Sequence, residues 1–152
     1  MIFDNKRISH SVAVARKLRQ LAYKLTGNEE YSENLFYLGL LHDVAYEFSD
    51  TQEEHERRGG EILRRNGYQY WKEVYYHGKP NVPHSSPELF LLNFADMTTG
   101  PKGEVMTIDE RISEIGHRYG KNSLQYKNSV ALAALLRANP LFHKAIQATI
   151  SD

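Results

Sequence analysis

The residues most able to do chemistry in this chain are an adjacent histidine and aspartate, His42 and Asp43, which follow the almost wholly apolar stretch 35–41. A buried carboxylate needs a partner or a metal ion, because transferring it from water without one is strongly unfavourable. Neighbouring side chains on a helix point about 100° apart, so both can serve one centre only if that centre lies between their faces. Taken alone, the pair fits a buried histidine–aspartate hydrogen bond better than a metal site.

Four further polar residues lie on faces that the apolar pattern turns inward: His10, His55, His77 and Asp96. Each has an ordinary structural interpretation by itself. Together with His42 and Asp43 they are hard to satisfy by paired hydrogen bonds, whereas one or two metal ions would satisfy them all. Neutral imidazole and carboxylate are good ligands for divalent first-row metals. The six residues are therefore the expected ligands of iron, manganese, cobalt or zinc.

Helical periodicity runs through nearly the whole chain, and no segment reads as a convincing strand. The predicted helices span about 6–25, 32–48, 50–66, 68–76, 86–97 and 107–119, and a last helical stretch over 123–150 is interrupted at Asn139-Pro140. Two capping boxes, Asp50 with Glu53 and Thr107 with Glu110, open the third and sixth helices. The sequence therefore predicts one all-α domain over residues 1–152, a bundle of six to eight helices.

Three glycines are expected where helices pack closely: Gly39, one turn before His42, and the adjacent Gly59 and Gly60. The remaining histidines, His84, His117 and His143, are expected at the surface, the first of them in an exposed loop. The last stretch is rich in alanine and leucine, so packing is its expected role.

Composition excludes several classes of function. The 19 basic and 19 acidic residues cancel, so no overall field favours nucleic acid or a membrane surface. The chain has no cysteine and therefore no thiolate nucleophile or cysteine metal site. Neither a signal peptide nor a run of the ~20 apolar residues needed to span a membrane is present in the sequence. These features favour a cytoplasmic protein.

The order of the six polar residues resembles the HD-domain metal-dependent phosphohydrolase superfamily. The matching segments are Arg-Ile-Ser-His, Leu-Leu-His-Asp and Asn-Phe-Ala-Asp, which supply His10, His42-Asp43 and Asp96. The resemblance implies that these four residues form a first metal site, and that His55 and His77 complete a second site with Asp43 bridging. It also implies a helical bundle and a small phosphorylated substrate, a nucleotide above all. Many two-metal members carry lysine three residues after the His-Asp pair, where this chain has Tyr46.

The resemblance implies hydrolysis, with His42 and Asp43 in catalytic roles. A water molecule held between two metal ions roughly 3.5–4 Å apart would deprotonate near neutral pH, and the hydroxide would attack phosphorus. Positive side chains would neutralise the remaining phosphate charge. The candidates are Arg7, Lys79, Lys102, Arg111 and Arg118.

Two other functions stay open at the sequence level. Some HD-domain proteins, the inositol-oxygenase type, use a similar ligand set to hold two irons and activate dioxygen. A catalytically silent nucleotide-binding module is the other alternative, although it would be expected to lose at least one ligand. The oligomeric state, with a homodimer as one option, also stays open.

Overall fold

The computed structural model describes residues 5–46 and 55–150, and within these ranges the chain forms eight α-helices and no strand. The helices are α1 (Asn5–Thr26), α2 (Glu29–Leu41), α3 (His55–Arg65), α4 (Trp71–Tyr76), α5 (Pro87–Met97), α6 (Ile108–Tyr119), α7 (Leu124–Ala138) and α8 (Phe142–Ile150). The predicted all-α helical bundle is confirmed.

The first two helices pack along each other because Gly39 has no side chain. A Cβ atom at Gly39 would lie only 2.4 Å from the Cα atom of Ala15 on α1. The expected close approach is therefore a helix–helix contact. The second helix begins three residues earlier than predicted, because the Asn28 side chain accepts the main-chain N–H of Tyr31 and caps it there.

The second helix also ends earlier than predicted, at Leu41, so the expected helix through Ala45 is wrong. Val44 N–H donates to Leu41 C=O and Tyr46 N–H donates to Asp43 C=O, which are the i→i−3 bonds of a tightened turn. The ring of His42 donates to the Gly39 carbonyl at 2.6 Å, and this side-chain bond competes with continuation of the helix. His42 and Asp43 therefore lie in a turn at a helix end.

The third and fourth helices pack through Gly60, where a Cβ atom would lie 2.5 Å from the Cβ atom of Tyr75. The capping box expected at Asp50 and Glu53 lies outside the described residues. After α3 the chain reverses at Gly67 (φ +71°), and Tyr68 N–H donates to Leu63 C=O, as in a Schellman motif. This reversal takes up the residues predicted to begin α4, which is why that helix starts only at Trp71.

The fifth helix lies in the centre of the bundle. It begins as predicted, with Ser86 as N-cap and Pro87 in the first turn, and eight of its eleven residues are buried. A helix that is apolar on all sides must be surrounded by others. It packs against α1, α2, α4 and α7, and its last turn brings Asp96 to the turn that carries His42 and Asp43.

The last three helices close the bundle. The Thr107–Glu110 capping box opens α6 as predicted, and the break at Asn139-Pro140 separates α7 from α8 as predicted. The last helix packs against α1, where Lys24 Nζ donates to the Ala148 carbonyl at 2.8 Å. None of the helices in the described part of the chain combines the length and apolar character needed to cross a membrane.

Candidate metal centre

The fold brings the six predicted ligands together around Asp43. The Oδ1 atom of Asp43 lies 3.1 Å from His55 Nε2 and 3.7 Å from His77 Nε2. Its Oδ2 atom lies 3.2 Å from His42 Nε2. The two carboxylate oxygens therefore face different histidines, as a bridging ligand requires.

The second carboxylate, Asp96, faces the other two histidines of the cluster. Its Oδ1 atom lies 2.7 Å from His10 Nε2 and 3.5 Å from His42 Nε2. His10 and His42 are buried, whereas Asp96 is partly open to a cavity. Helices α1, α3 and α5, the turn after α2 and the end of α4 each contribute at least one residue.

Three of the four histidines are held in one tautomer by main-chain carbonyls. His10 Nδ1 donates to the Gly100 carbonyl at 2.8 Å. His42 Nδ1 donates to the Gly39 carbonyl at 2.6 Å, and His77 Nδ1 donates to the Val74 carbonyl at 2.6 Å. A carbonyl oxygen only accepts, so each Nδ1 carries a hydrogen. In the neutral ring the Nε2 atom is then the unprotonated nitrogen, which is the form that binds a metal ion.

The arrangement needs a cation between its nitrogens and oxygens. In the neutral rings, the Nε2 lone pairs of His10, His42 and His77 face the lone pairs of carboxylate oxygens, and these repel each other unless a proton or a metal ion lies between them. The buried Nε2 of His42 has no hydrogen-bond partner. A buried polar atom of this kind is costly, and coordination would remove the cost.

The donor atoms form three sets in which all members lie within 4.8 Å of one another: His10, His42 and Asp43; His42, His77 and Asp96; and Asp43, His55 and His77. The sets overlap at His42, Asp43 and His77. The donors are nitrogen and carboxylate oxygen only, a set that suits divalent first-row metals. The cluster can therefore hold metal ions, and the shared Asp43 allows two of them.

The electrostatics of the cluster favour positive charge. Burial lowers the pKa of His42, but the Asp43 and Asp96 carboxylates outweigh it and raise that pKa well above its usual value. Burial raises the pKa of Asp43, yet His42, His55 and His77 hold it well below its usual range. Burial likewise raises the pKa of Asp96, but His10 and His42 more than offset this and hold it well below its usual range. Two ionised carboxylates thus stabilise a cation in this interior.

Arg7 extends the cluster with a fixed positive charge. Its Nη1 atom donates to Asp43 Oδ2 at 2.9 Å, and its guanidinium carbon lies 3.6 Å from the centroid of the Tyr46 ring. Tyr46 occupies the position where many two-metal members have lysine. In this chain the Tyr46 ring therefore packs against a positive charge contributed by α1, the Arg7 guanidinium.

A cavity of about 140 Å³ opens beside the cluster. Its inner end exposes Asp43, His55, His77 and Asp96, and its positively charged lining residues are Arg7, Lys79, Arg111 and Arg118. Arg111 is buried and, together with Arg118, makes an ion pair with Glu114. Four of the five cations predicted to bind substrate thus line one cavity.

Comparison with known protein families agrees with this geometry. Residues 7–115 match the HD domain family model. The chain belongs to the HD-domain family. The HD-domain superfamily consists mostly of metal-dependent phosphohydrolases, so metal-dependent hydrolase-type activity follows at the level of the family. No curated protein and no solved structure matches the chain.

The structure of this HD domain places two of the predicted residues differently from the expectation. Lys102 is exposed in the turn after α5 and does not line the cavity. Its main-chain N–H donates to Glu104 Oε1 at 2.9 Å within that turn. His84 is half-buried rather than exposed, because its Nε2 lies 2.5 Å from the buried Glu73 carboxylate.

Sequence reasoning missed several residues that line the cavity of the HD domain. Glu56 is buried beside His55. On the far side lie Tyr119 of α6 and Gln125, Asn128 and Ser129 of α7. The adjacency of Glu56 to a predicted ligand was a usable signal, whereas the α7 residues carried none. His117 and His143 are exposed, as expected.

Proposed function

We propose that this protein is a metal-dependent phosphohydrolase that releases inorganic phosphate from a small phosphorylated substrate, namely a nucleotide. The observation that carries the proposal is that the Nε2 atoms of four histidines lie 2.7–3.7 Å from the oxygens of two carboxylates at the floor of a cationic cavity. A purely structural hydrogen-bond network would not gather four imidazoles around two carboxylates beside a cavity.

In this proposal two divalent ions share Asp43. His10, His42, Asp43 and Asp96 would hold the first ion, and Asp43, His55 and His77 would hold the second. When bound, such ions supply a nucleophile by lowering the pKa of a water molecule and stabilise the charge on the phosphoryl oxygens. His42 and Asp43 are the proposed catalytic residues, because both would hold the ions at which the phosphoryl group reacts.

The remaining side chains bind and orient the phosphoryl group. Arg7 is held in place by Asp43 and the Tyr46 ring, so little ordering entropy is lost when it contacts a phosphoryl oxygen. Lys79 follows the His77 ligand by two residues and lines the same cavity. In the overall reaction the oxygen of water bonds to phosphorus, the bond from phosphorus to the leaving oxygen breaks, and that oxygen takes up a proton.

The experiment is metal analysis of protein purified without chelator, followed by a phosphate-release screen across nucleotides. We expect bound first-row metal and phosphate release that stops when the metal is removed and returns when it is restored. Asp43→Ala should abolish turnover, whereas His143→Ala, at an exposed histidine of α8, should leave it unchanged. Turnover that persists in Asp43→Ala, or in metal-free protein, contradicts the proposal.

The oxygenase and silent-module alternatives are separated from hydrolysis by the same preparation. Phosphate release without oxygen at the same rate as in air excludes dioxygen activation as the main reaction. If the metal-loaded protein binds nucleotides and cleaves none of them, the silent module is correct and the proposal fails.

A further inference from the structure

One wall of the cavity comes from a part of the chain that the HD-domain match does not reach. Helix α7 lies beyond residue 115, where the match ends. It contributes four residues to the lining: Leu124, Gln125, Asn128 and Ser129. Positions one turn apart share a helix face, so these residues form one continuous strip over the cavity. We call it the α7 wall.

The α7 wall offers hydrogen-bonding groups that the protein itself does not use. Gln125 and Asn128 are half-buried, and neither side-chain amide has a hydrogen-bond partner within residues 5–46 and 55–150. The Ser129 hydroxyl is buried and donates to Tyr126 C=O at 2.7 Å, which leaves its oxygen able to accept. Because each amide both donates and accepts, the wall suits a ligand that carries hydroxyl or amide groups.

The α7 wall carries no charge; the two α6 arginines that line the cavity share one carboxylate, and Lys79 follows the His77 ligand at the phosphoryl end. Arg111 and Arg118 share the Glu114 carboxylate, with Arg118 Nε at 3.0 Å from Glu114 Oε1. Arg7 is bound to Asp43 at the other end of the cavity. A leaving group that carries phosphates of its own needs several uncompensated cations around it. The wall instead fits an uncharged leaving group.

Apolar surface next to the wall completes a site for a ring system. Ile115 and Tyr119 of α6 line the cavity beside Leu124. Tyr119 is half-buried in this lining, and burial raises the pKa of its hydroxyl. Small-molecule sites of this kind combine apolar walls with a few placed polar groups.

We propose that the α7 wall binds the leaving group, and that the substrate is a phosphomonoester of a neutral, hydroxyl- and amide-bearing alcohol such as a nucleoside, rather than an anhydride. This inference rests on the proposed phosphohydrolase function. The phosphoryl group lies at the metal centre and the nucleoside lies against Gln125 and Asn128. Water attacks phosphorus, the ester P–O bond breaks, and the nucleoside leaves as the neutral alcohol with a proton from that water.

The test uses the metal-loaded protein and two substitutions that keep a side chain of similar length, Asn128→Leu and Gln125→Met. Each substitution removes an amide and introduces a residue that helices accept well. Lys127→Ala, at an exposed position of α7 that does not line the cavity, is the matched control. Binding of a nucleoside is measured by titration calorimetry, and inhibition of turnover by inorganic phosphate is measured separately.

Each amide substitution should weaken nucleoside binding and lower kcat/KM for the nucleoside monophosphate by about ten-fold, the effect of one lost hydrogen bond. Inhibition by inorganic phosphate and the metal content should stay at the wild-type values, as should all readouts in Lys127→Ala. Wild-type protein should also prefer the monophosphate to the triphosphate. Preference for the triphosphate, unchanged nucleoside binding in both variants, or equal losses for nucleoside and phosphate would overturn the inference. If wild-type protein releases no phosphate from any substrate, the proposed function itself fails.

Discussion

Substitution of Arg7 tests the electrostatic interpretation of the metal centre, because the main partner of Arg7 is Asp43, the residue proposed to hold both metal ions. The substitution is Arg7→Met, which keeps an unbranched side chain of similar reach and removes the charge. In the structure Arg7 Nη1 lies 2.9 Å from Asp43 Oδ2, and the guanidinium packs 3.6 Å above the Tyr46 ring. Only 21% of the Arg7 side chain is exposed, so solvent screens this pair weakly.

The expected loss depends on whether metal is bound. A hydrogen bond between charged groups contributes about 1.5–3 kcal/mol, and a partly desolvated cation–π contact contributes roughly 1 kcal/mol. Metal-free Arg7→Met should therefore lose about 3 kcal/mol of unfolding free energy. With metal bound, the ions compensate the Asp43 carboxylate, and only the loss of the contact with Tyr46, about 1 kcal/mol, should remain.

The assay is urea unfolding of wild-type protein and Arg7→Met, in chelator and in a saturating divalent metal. The thermodynamic cycle also requires the variant to bind metal more tightly, by about 30-fold for a 2 kcal/mol difference. Tyr46→Leu is the control, because it removes the ring contact in both states and should cost about the same with and without metal. Equal losses for Arg7→Met in the two conditions, with unchanged metal affinity, would refute the assignment of Asp43 as a metal ligand.

Three further predictions concern other parts of the molecule. His77→Ala removes one donor of the second proposed site, so metal analysis should give fewer ions per chain and phosphate release should fall at least 100-fold; full metal content would contradict this. Burial lowers the pKa of Lys17 from 10.5 to about 8, so the unfolded state binds that proton more tightly and stability should rise as pH increases from 8 toward about 10. Lys17→Met should flatten this rise in urea unfolding, and a rise of equal size in the variant would show that Lys17 is not its source. Gly39→Ala places a methyl group 2.4 Å from Ala15 Cα and should lower the free energy of unfolding by about 3 kcal/mol; a loss below 1 kcal/mol would mean that the two helices separate at little cost.

Local sequence signals predicted the parts of the fold that depend on local chemistry. Ser86 and Pro87 open α5, and the Thr107–Glu110 capping box opens α6, because both features satisfy main-chain N–H groups within one turn. The apolar faces identified the core, since each buries against a neighbouring helix. The single domain over 1–152, the cytoplasmic location and the oligomeric state stay predictions.

The sequence could not predict features set by contacts between distant segments. The end of α2 depends on which group the Gly39 carbonyl accepts, and helical periodicity continues past that point. The tautomer of His10 is fixed by Gly100, ninety residues away along the chain. Lys102 was expected near phosphate because it lies in a glycine-containing loop, but Lys102 is exposed in a turn where its main-chain N–H donates to Glu104.

The contrast between the metal ligands and the α7 wall has a physical cause. Histidine and aspartate on an apolar face are costly, so their presence alone indicates a compensating partner. Glutamine, asparagine and serine on one side of an amphipathic helix cost nothing in water and are typical of a solvated surface. Only the position of α7 over the cavity indicates a binding role, because there Gln125 and Asn128 line a cavity beside the candidate metal ligands. Residues that determine which substrate binds are thus harder to predict from one sequence than residues that bind a metal ion, since only the latter are unfavourable without their ligand.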